Sequence, residues 1–136
     1  MISFIDFMNG KAKKQEKKLL KRATALFPTL VEHGYLTRND IGIHIPTKIG
    51  NIALKTFMHS SLFDDDEPFE DQIRKLVYLE IIAFDEGRNE NVVTLVGMTM
   101  FFMYVMYAGG DEEYIVGEMK RAEKICNDVI AGKYQI

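Results

Sequence analysis

The densest group of chemically capable side chains is a run of carboxylates near the middle of the chain. Carboxylates at this density can hold a divalent cation or meet a basic protein surface. The calcium-binding loop needs a glycine at its turn and a distal glutamate, and neither occurs here at loop spacing. We therefore expect no metal, and we interpret the cluster as a docking surface for a basic partner, comprising Asp64, Asp65, Asp66, Glu67, Glu70 and Asp71.

Part of this cluster also has a purely local explanation. Pro68 is suited to the first position of a helix, and acidic residues in a first turn complement the helix dipole. The spacing of apolar residues then predicts a helix over residues 69–86.

Glu80 falls in the middle of the apolar face of that predicted helix, with Leu76, Val77 and Phe84 one turn away. A buried carboxylate is costly unless it is paired, and its pKa shifts. Glu80 is therefore either a general acid, base or ligand, or a structural partner of a tyrosine, histidine or lysine. The structural role is favoured, because no second inward carboxylate or Glu-x-x-His pair supports a di-metal site.

Catalytic motifs are absent from the sequence. The three histidines, His33, His44 and His59, are scattered, and Cys126 is the single cysteine. No set of nucleophile, base and orienting group is visible, and no phosphate-binding loop is present. The sequence thus predicts neither enzymatic activity nor a cofactor.

Charge divides the chain into a basic arm, residues 1–27, and an acidic body, residues 28–136, within one domain. The arm has seven basic and two acidic residues, a net charge of +5, whereas the body has ten basic and 18 acidic residues, a net charge of −8. Such an arm can bind phosphate or lipid, or it can pack on its own body. Its basic residues are Lys11, Lys13, Lys14, Lys17, Lys18, Lys21 and Arg22.

The first eight residues are strongly apolar apart from Ser3 and Asp6, and they precede the basic residues. This is the reverse of the order in a secretory signal, so we expect a cytoplasmic protein. Ser3 and Asp6 have capping-box spacing, which predicts a short helix. We expect it to dock Phe4, Ile5 and Phe7 on the body; a peripheral membrane anchor is the alternative.

One stretch resembles part of a helix-turn-helix. Leu36-Thr-Arg-Asn-Asp-Ile41 has the pattern of a short first helix, and Pro46-Thr-Lys48 the opening of a recognition helix. The resemblance implies nucleic-acid binding with Lys48 and Lys55 on the reading helix. Phosphate contacts usually need a larger basic surface than these two residues provide. A structural helix pair is the preferred interpretation.

Residues 92–109 are apolar on every side at helical spacing and contain no charged residue. A helix of this kind is either the centre of a bundle or a membrane span. Amphipathic helices predicted on both sides need an apolar partner, which favours the bundle. The predicted fold is an all-α, single-domain bundle of five to six helices around this central helix.

Three functions follow from these patterns. The first is a small protein–protein interaction module, of the kind that immunity or antitoxin proteins represent, whose acidic surface neutralises a basic partner. The second is nucleic-acid binding through the basic arm and the partial helix-turn-helix. The third is peripheral attachment to a membrane through residues 1–8.

Overall fold

The computed structural model describes residues 2–63 and 66–130, without the side chains of positions 69, 73 and 126–130. Within this part the chain is mostly helical and has two antiparallel β-hairpins. The N-terminal elements are α1 (Phe4–Met8), a 3-10 helix (Lys13–Gln15) and α2 (Glu16–Ala25). The remainder comprises α3 (Phe27–Glu32), β1 (Leu36–Arg38), β2 (His44–Pro46), α4 (Lys48–Leu62), α5 (Phe69–Tyr78), β3 (Ile82–Asp85), β4 (Glu90–Val93), α6 (Leu95–Tyr107) and α7 (Glu112–Ile130).

The two hairpins correct the all-α prediction. The helix predicted over 69–86 ends at Tyr78, and the one predicted over 92–109 begins at Leu95. Between them, β3 and β4 pair in a register that places Ile82 opposite Val93. β-Branched residues pack well on the pleated surface of a strand. In a short apolar run, however, the spacing of the apolar residues does not distinguish a strand from a helix.

The chain between α3 and α6 contains the same helix–hairpin–helix unit twice. The first unit comprises α3, β1, β2 and α4, and the second comprises α5, β3, β4 and α6. A threonine caps the helix after each hairpin, since Thr47 accepts from Gly50 N at 3.0 Å and Thr94 accepts from Gly97 N at 2.9 Å.

Each capping threonine also bonds back to the turn that precedes its hairpin. The amide of Thr47 donates to Tyr35 O at 3.0 Å, and the amide of Thr94 donates to Ile81 O at 2.8 Å. The hydroxyls donate one residue earlier, to Gly34 O at 2.6 Å and to Glu80 O at 2.7 Å. Gly34 and Glu80 therefore occupy equivalent positions, and both have left-handed backbone, with φ of 79° and 61°.

Two glycines permit the helix starts to approach these turns. A Cβ atom on Gly50 would lie 1.7 Å from Tyr35 O, and one on Gly97 would lie 2.5 Å from Ile81 Cα. Both neighbours are backbone atoms that cannot rotate away. Only glycine fits the third residue after each capping threonine.

Asn51 joins the two units. Its side chain is fully buried on α4, and its Oδ1 accepts from Val93 N at 2.9 Å while its Nδ2 donates to Asn91 O at 3.1 Å. The amide group thus satisfies two backbone groups of β4 in the interior. This contact fixes the second hairpin against the first helix pair.

The core surrounds α6, as the apolar sequence of this helix predicts. Phe101 and Phe102 are fully buried, and the Phe101 ring meets Phe57 of α4 edge to face, with centroids 4.8 Å apart. Leu19 and Ala23 bury one side of α2, which packs on α6, and α7 packs on α4. Within the described residues no helix has both the length and the apolar character needed to cross a membrane.

We expect Gly50→Ala and Gly97→Ala each to destabilise the protein by several kcal/mol, because the added methyl group overlaps backbone atoms. Gly117→Ala in α7 is the matched control. Nothing lies within 4 Å of its added Cβ, so this change should stabilise the protein by roughly 0.5–1 kcal/mol through helix propensity. Urea unfolding followed by circular dichroism measures all three. Equal stability of Gly50→Ala and Gly117→Ala would show that the close approach is wrong.

Candidate functional site

The acidic cluster lies around the start of α5, and its charge is partly offset there. Asp64 and Asp65 lie outside the described residues. Glu67 forms an ion pair with Lys75, and Arg74 lies 4.0 Å from Glu70 and 3.6 Å from Asp71. Asp66 is exposed. The two Arg74 pairs are solvent-exposed and contribute little to stability. All three pairs reduce the negative charge that these residues offer to a partner.

Glu80 is not the buried carboxylate that helical spacing predicts. It lies beyond the end of α5, in the left-handed turn before β3, and its side chain is exposed. The helix ends two residues before Glu80, so its side chain never joins the apolar face. Its structural contribution is its carbonyl, which accepts from the Thr94 hydroxyl.

The second unit exposes large apolar side chains around the junction of α5 and α6. Tyr78 is 87% exposed, Val77 47% and Val96 66%, and Leu95 is also exposed. The hydrogen bond from Thr94 to Glu80 O brings the last turn of α5 beside the first turn of α6. Phe84, on β3, is a further exposed aromatic residue at 59%. We call this set, Val77, Tyr78, Phe84, Leu95 and Val96, the apolar surface of the second unit.

In the first unit, three of the five positions equivalent to this surface hold charged residues instead of apolar ones. The equivalents of Tyr78, Phe84 and Leu95 are the charged residues Glu32, Arg38 and Lys48, aligned through the shared threonine and turn hydrogen bonds. The remaining two positions hold Val31 and Ile49, which are 39% and 37% exposed. The fold therefore does not require three of the five apolar side chains in the second unit.

Acidic residues border this surface. Glu80 stands between the two apolar helix ends, and Glu86 lies in the β3–β4 turn; both are exposed. Among the ion pairs of the described residues neither of them takes part, whereas Glu90 pairs with Arg88 at 3.9 Å. The α5 helix also connects this surface to the acidic cluster, over about 15 Å for ten residues.

The basic arm packs on the body by one face only. Ala12, Leu19 and Ala23 are buried against the core, while all seven predicted basic residues are exposed. Arg22 donates to Gly110 O at 3.5 Å. None of the six lysines of the arm forms an ion pair with a carboxylate in the part of the chain that the structure describes. These cations remain available to an anionic ligand.

Residues 2–8 dock on α6, and the N-terminal prediction is correct for two of its three apolar residues. Phe4 and Phe7 are buried, with ring centroids 5.3 and 5.7 Å from that of Tyr104. The Tyr104 hydroxyl donates to Ile2 O at 3.3 Å. Ile5 is 51% exposed instead of buried. The side chains that a membrane anchor would insert are thus largely occupied.

Neither the helix-turn-helix resemblance nor the structural helix pair preferred for this stretch extends to the structure, which has a β-hairpin there. The stretch that resembles its first helix forms β1 and the hairpin loop, and Thr47 caps α4 directly after β2. Asn39 shapes this loop, because its Oδ1 accepts from the amides of Ile41 and Ile43. Lys55 is half-buried and donates to Asn91 O at 3.0 Å, so it is not available to a phosphate.

Two titratable groups in the described part of the chain, Lys55 and His44, have shifted pKa values. Burial lowers the pKa of Lys55, and the nearby Glu90 partly opposes this shift. Burial also lowers the pKa of His44, and the positive charge of Arg38 lowers it further. His44 lies against the Phe27 ring at 5.1 Å and accepts from Arg38 Nε at 3.3 Å through its Nε2. Neither group adjoins a nucleophile, and no potential metal-ligand cluster occurs among the described residues.

The His44 arrangement predicts a pH effect on stability. Because the pKa of His44 is lower in the folded state than the 6.5 of a free histidine, the unfolded chain binds a proton first as the pH falls. The free energy of unfolding therefore decreases as the pH falls below about 6.5, until the pH reaches the pKa of His44 in the folded protein. We expect Arg38→Gln to raise the pKa of His44, measured by NMR titration of the imidazole protons, and to reduce this acid sensitivity. An unchanged titration in Arg38→Gln would contradict the assignment.

Comparison of the chain with protein-family models, curated proteins and solved structures gave no significant match. The two candidate surfaces, the apolar surface of the second unit and the basic arm, are therefore inferred from this chain alone.

The sequence predicted the basic arm but not the apolar surface, because Val77 and Phe84 were placed on the buried face of one long helix. The repeated pattern of threonine followed three residues later by glycine, at Thr47 and Thr94, was the signal that could have located the second unit.

Proposed function

We propose that the protein is a protein–protein binding module, and that the apolar surface of its second unit docks a partner with an apolar centre and a basic periphery. The observation that carries this proposal is the difference between the two units. One scaffold presents Glu32, Arg38 and Lys48, and the other presents Tyr78, Phe84 and Leu95 at the equivalent positions.

The composition of the surface supports a protein partner. Exposed aromatic residues clustered beside aliphatic ones are typical of binding hot spots, where tyrosine is enriched. Tyr78 is 87% exposed, and leaving so much of an aromatic ring in water has no benefit for the fold. Apolar surfaces of this kind on monomeric proteins mark interaction sites.

The charges around the surface determine the expected sign of the partner. Glu80 and Glu86 border it without ion pairs in the described part of the chain, and the acidic cluster begins at the other end of α5. A negative border attracts a basic protein and accelerates its association. Neutralisation of such a partner, in the manner of an immunity or antitoxin protein, is the biological role that we propose.

Site-specific photo-crosslinking tests this proposal. In one variant, benzoylphenylalanine replaces Tyr78, and the variant is expressed in the organism's own cells. In the control variant, benzoylphenylalanine replaces Glu32, which occupies the equivalent position of the first unit. We expect a discrete adduct from position 78 with a protein of basic surface, identified by mass spectrometry, and none from position 32. Val96→Asp should abolish the adduct, whereas the matched variant Ile49→Asp should not.

Binding of the identified partner should then weaken about 30-fold in Tyr78→Ala, in line with the roughly 2 kcal/mol of a hot-spot residue. The same adducts from positions 78 and 32 would contradict the proposal. An adduct with a second copy of the chain alone, or one that persists in Val96→Asp, would do so as well.

A further inference from the structure

A groove lies at the junction of the basic arm and α6, away from the apolar surface of the second unit. It has a volume of about 500 Å³ and is lined by the chain from Gly10 to Gln15 and by Tyr107. Lys11, Lys13 and Lys14 provide three cations along one side. The protein-binding proposal leaves this groove unexplained.

The cations of the groove have no anionic partner within the described residues. No carboxylate forms an ion pair with Lys11, Lys13 or Lys14 there, and the arm has only two acidic residues, Asp6 and Glu16, against its seven basic ones. Further lysines follow along α2, which is about 15 Å long. An uncompensated row of cations of this length suits a chain of phosphates better than a single anion.

Tyr107 adds an aromatic wall to the same groove. Its ring is only partly buried, and it is held from behind by Phe7, with centroids 5.9 Å apart and planes inclined at 47°. Its hydroxyl has no hydrogen bond to any of the described residues. A positioned aromatic face beside unpaired lysines is the combination that binds single-stranded nucleic acid, because a base stacks on the ring while phosphates meet the cations.

We propose that the groove formed by residues 10–15 and Tyr107 binds single-stranded nucleic acid, with a base on Tyr107 and phosphates on Lys11, Lys13 and Lys14. A duplex fits less well, since its bases are already stacked on one another and cannot reach the ring. A bilayer also fits less well, because both phenylalanines of α1 and Leu19 of α2 are buried. Ile5 and Leu20 remain exposed, and two aliphatic side chains give only weak insertion.

Fluorescence anisotropy with labelled 12-mers tests this proposal on the full chain. The probes are oligo-dT, oligo-U and a 12-base-pair duplex, titrated from low salt upward. We expect the single strands to bind more tightly than the duplex, with log K falling against log salt at a slope of about −2, from roughly 0.7 for each of three phosphate contacts. Lys13→Gln/Lys14→Gln should reduce this slope by about 1.4.

Tyr107→Leu should weaken binding about ten-fold with the slope unchanged, whereas Tyr107→Phe keeps the ring and should bind as the natural protein does. Lys48→Gln/Lys120→Gln removes two exposed lysines elsewhere and is the charge-matched control; it should change binding little. In the natural protein, the Tyr107 ring protons should shift upfield in NMR spectra on addition of oligo-dT, which tests stacking without any substitution.

Absence of binding to both single strands at low salt would overturn the proposal. Equal binding of strand and duplex, with unshifted Tyr107 ring protons, would reduce the groove to a general polyanion site and overturn the stacking contact. A higher affinity for anionic phosphatidylserine vesicles, measured by co-flotation, than for single strands would overturn the proposal and identify a lipid as the ligand. The crosslinking experiment probes a different surface, so neither result decides the other.

Discussion

The start of each post-hairpin helix lies against the backbone of the turn that precedes its hairpin, and the rest of the structure depends on this contact. A capping threonine forms this contact through hydrogen bonds that its amide and its hydroxyl donate to the turn. A glycine three residues later leaves space for the two backbones to approach. The contact orients α4 and α6, which form the centre of the core. Since buried backbone groups must be paired, the hairpins and the helix starts stabilise one another.

The shared scaffold allows the two units to differ at their surfaces. Leu36 and Ile82 are buried at equivalent positions, whereas Arg38 and Phe84, two residues later, are a charged and an aromatic residue. Buried positions are constrained by packing, and exposed ones are free to acquire binding properties. The molecule thus combines an apolar surface with an acidic border on its second unit and a basic groove beside its N-terminal arm.

Much of the fold could be predicted from sequence, and the error over residues 69–86 has an identifiable physical cause. The apolar helix α6, the Ser3 cap of α1 and the docking of Phe4 and Phe7 all followed from local spacing and composition. Neither hairpin did. The second was missed because a left-handed residue is expected to be glycine, and the chain has Glu80 there. Because that turn was not recognised, the 3.6-residue periodicity was extended from Leu76 and Val77 to Phe84, and an exposed glutamate was assigned to the core.

The candidate site was less predictable than the fold. The basic arm could be located from charge alone, because a run of lysines is apparent in the sequence whatever conformation it adopts. The groove at Tyr107 could not be predicted, since it requires residues 10–15 to lie beside a helix that begins at Leu95, far along the chain. For the acidic cluster, the structure shows that Arg74 and Lys75 pair with three of its described residues, Glu67, Glu70 and Asp71, and offset part of their charge.

Hydrogen exchange of the backbone amides, followed by NMR, tests the repeated helix start most directly. The amides of Thr47 and Thr94 donate equivalent hydrogen bonds, to Tyr35 O and Ile81 O. Both should therefore exchange as slowly as the amides of α6, with protection factors within about ten-fold of each other, because both open only when the core does. Exchange of either amide at the rate of an unprotected one, while the amides of α6 remain protected, would show that the two units do not share this contact.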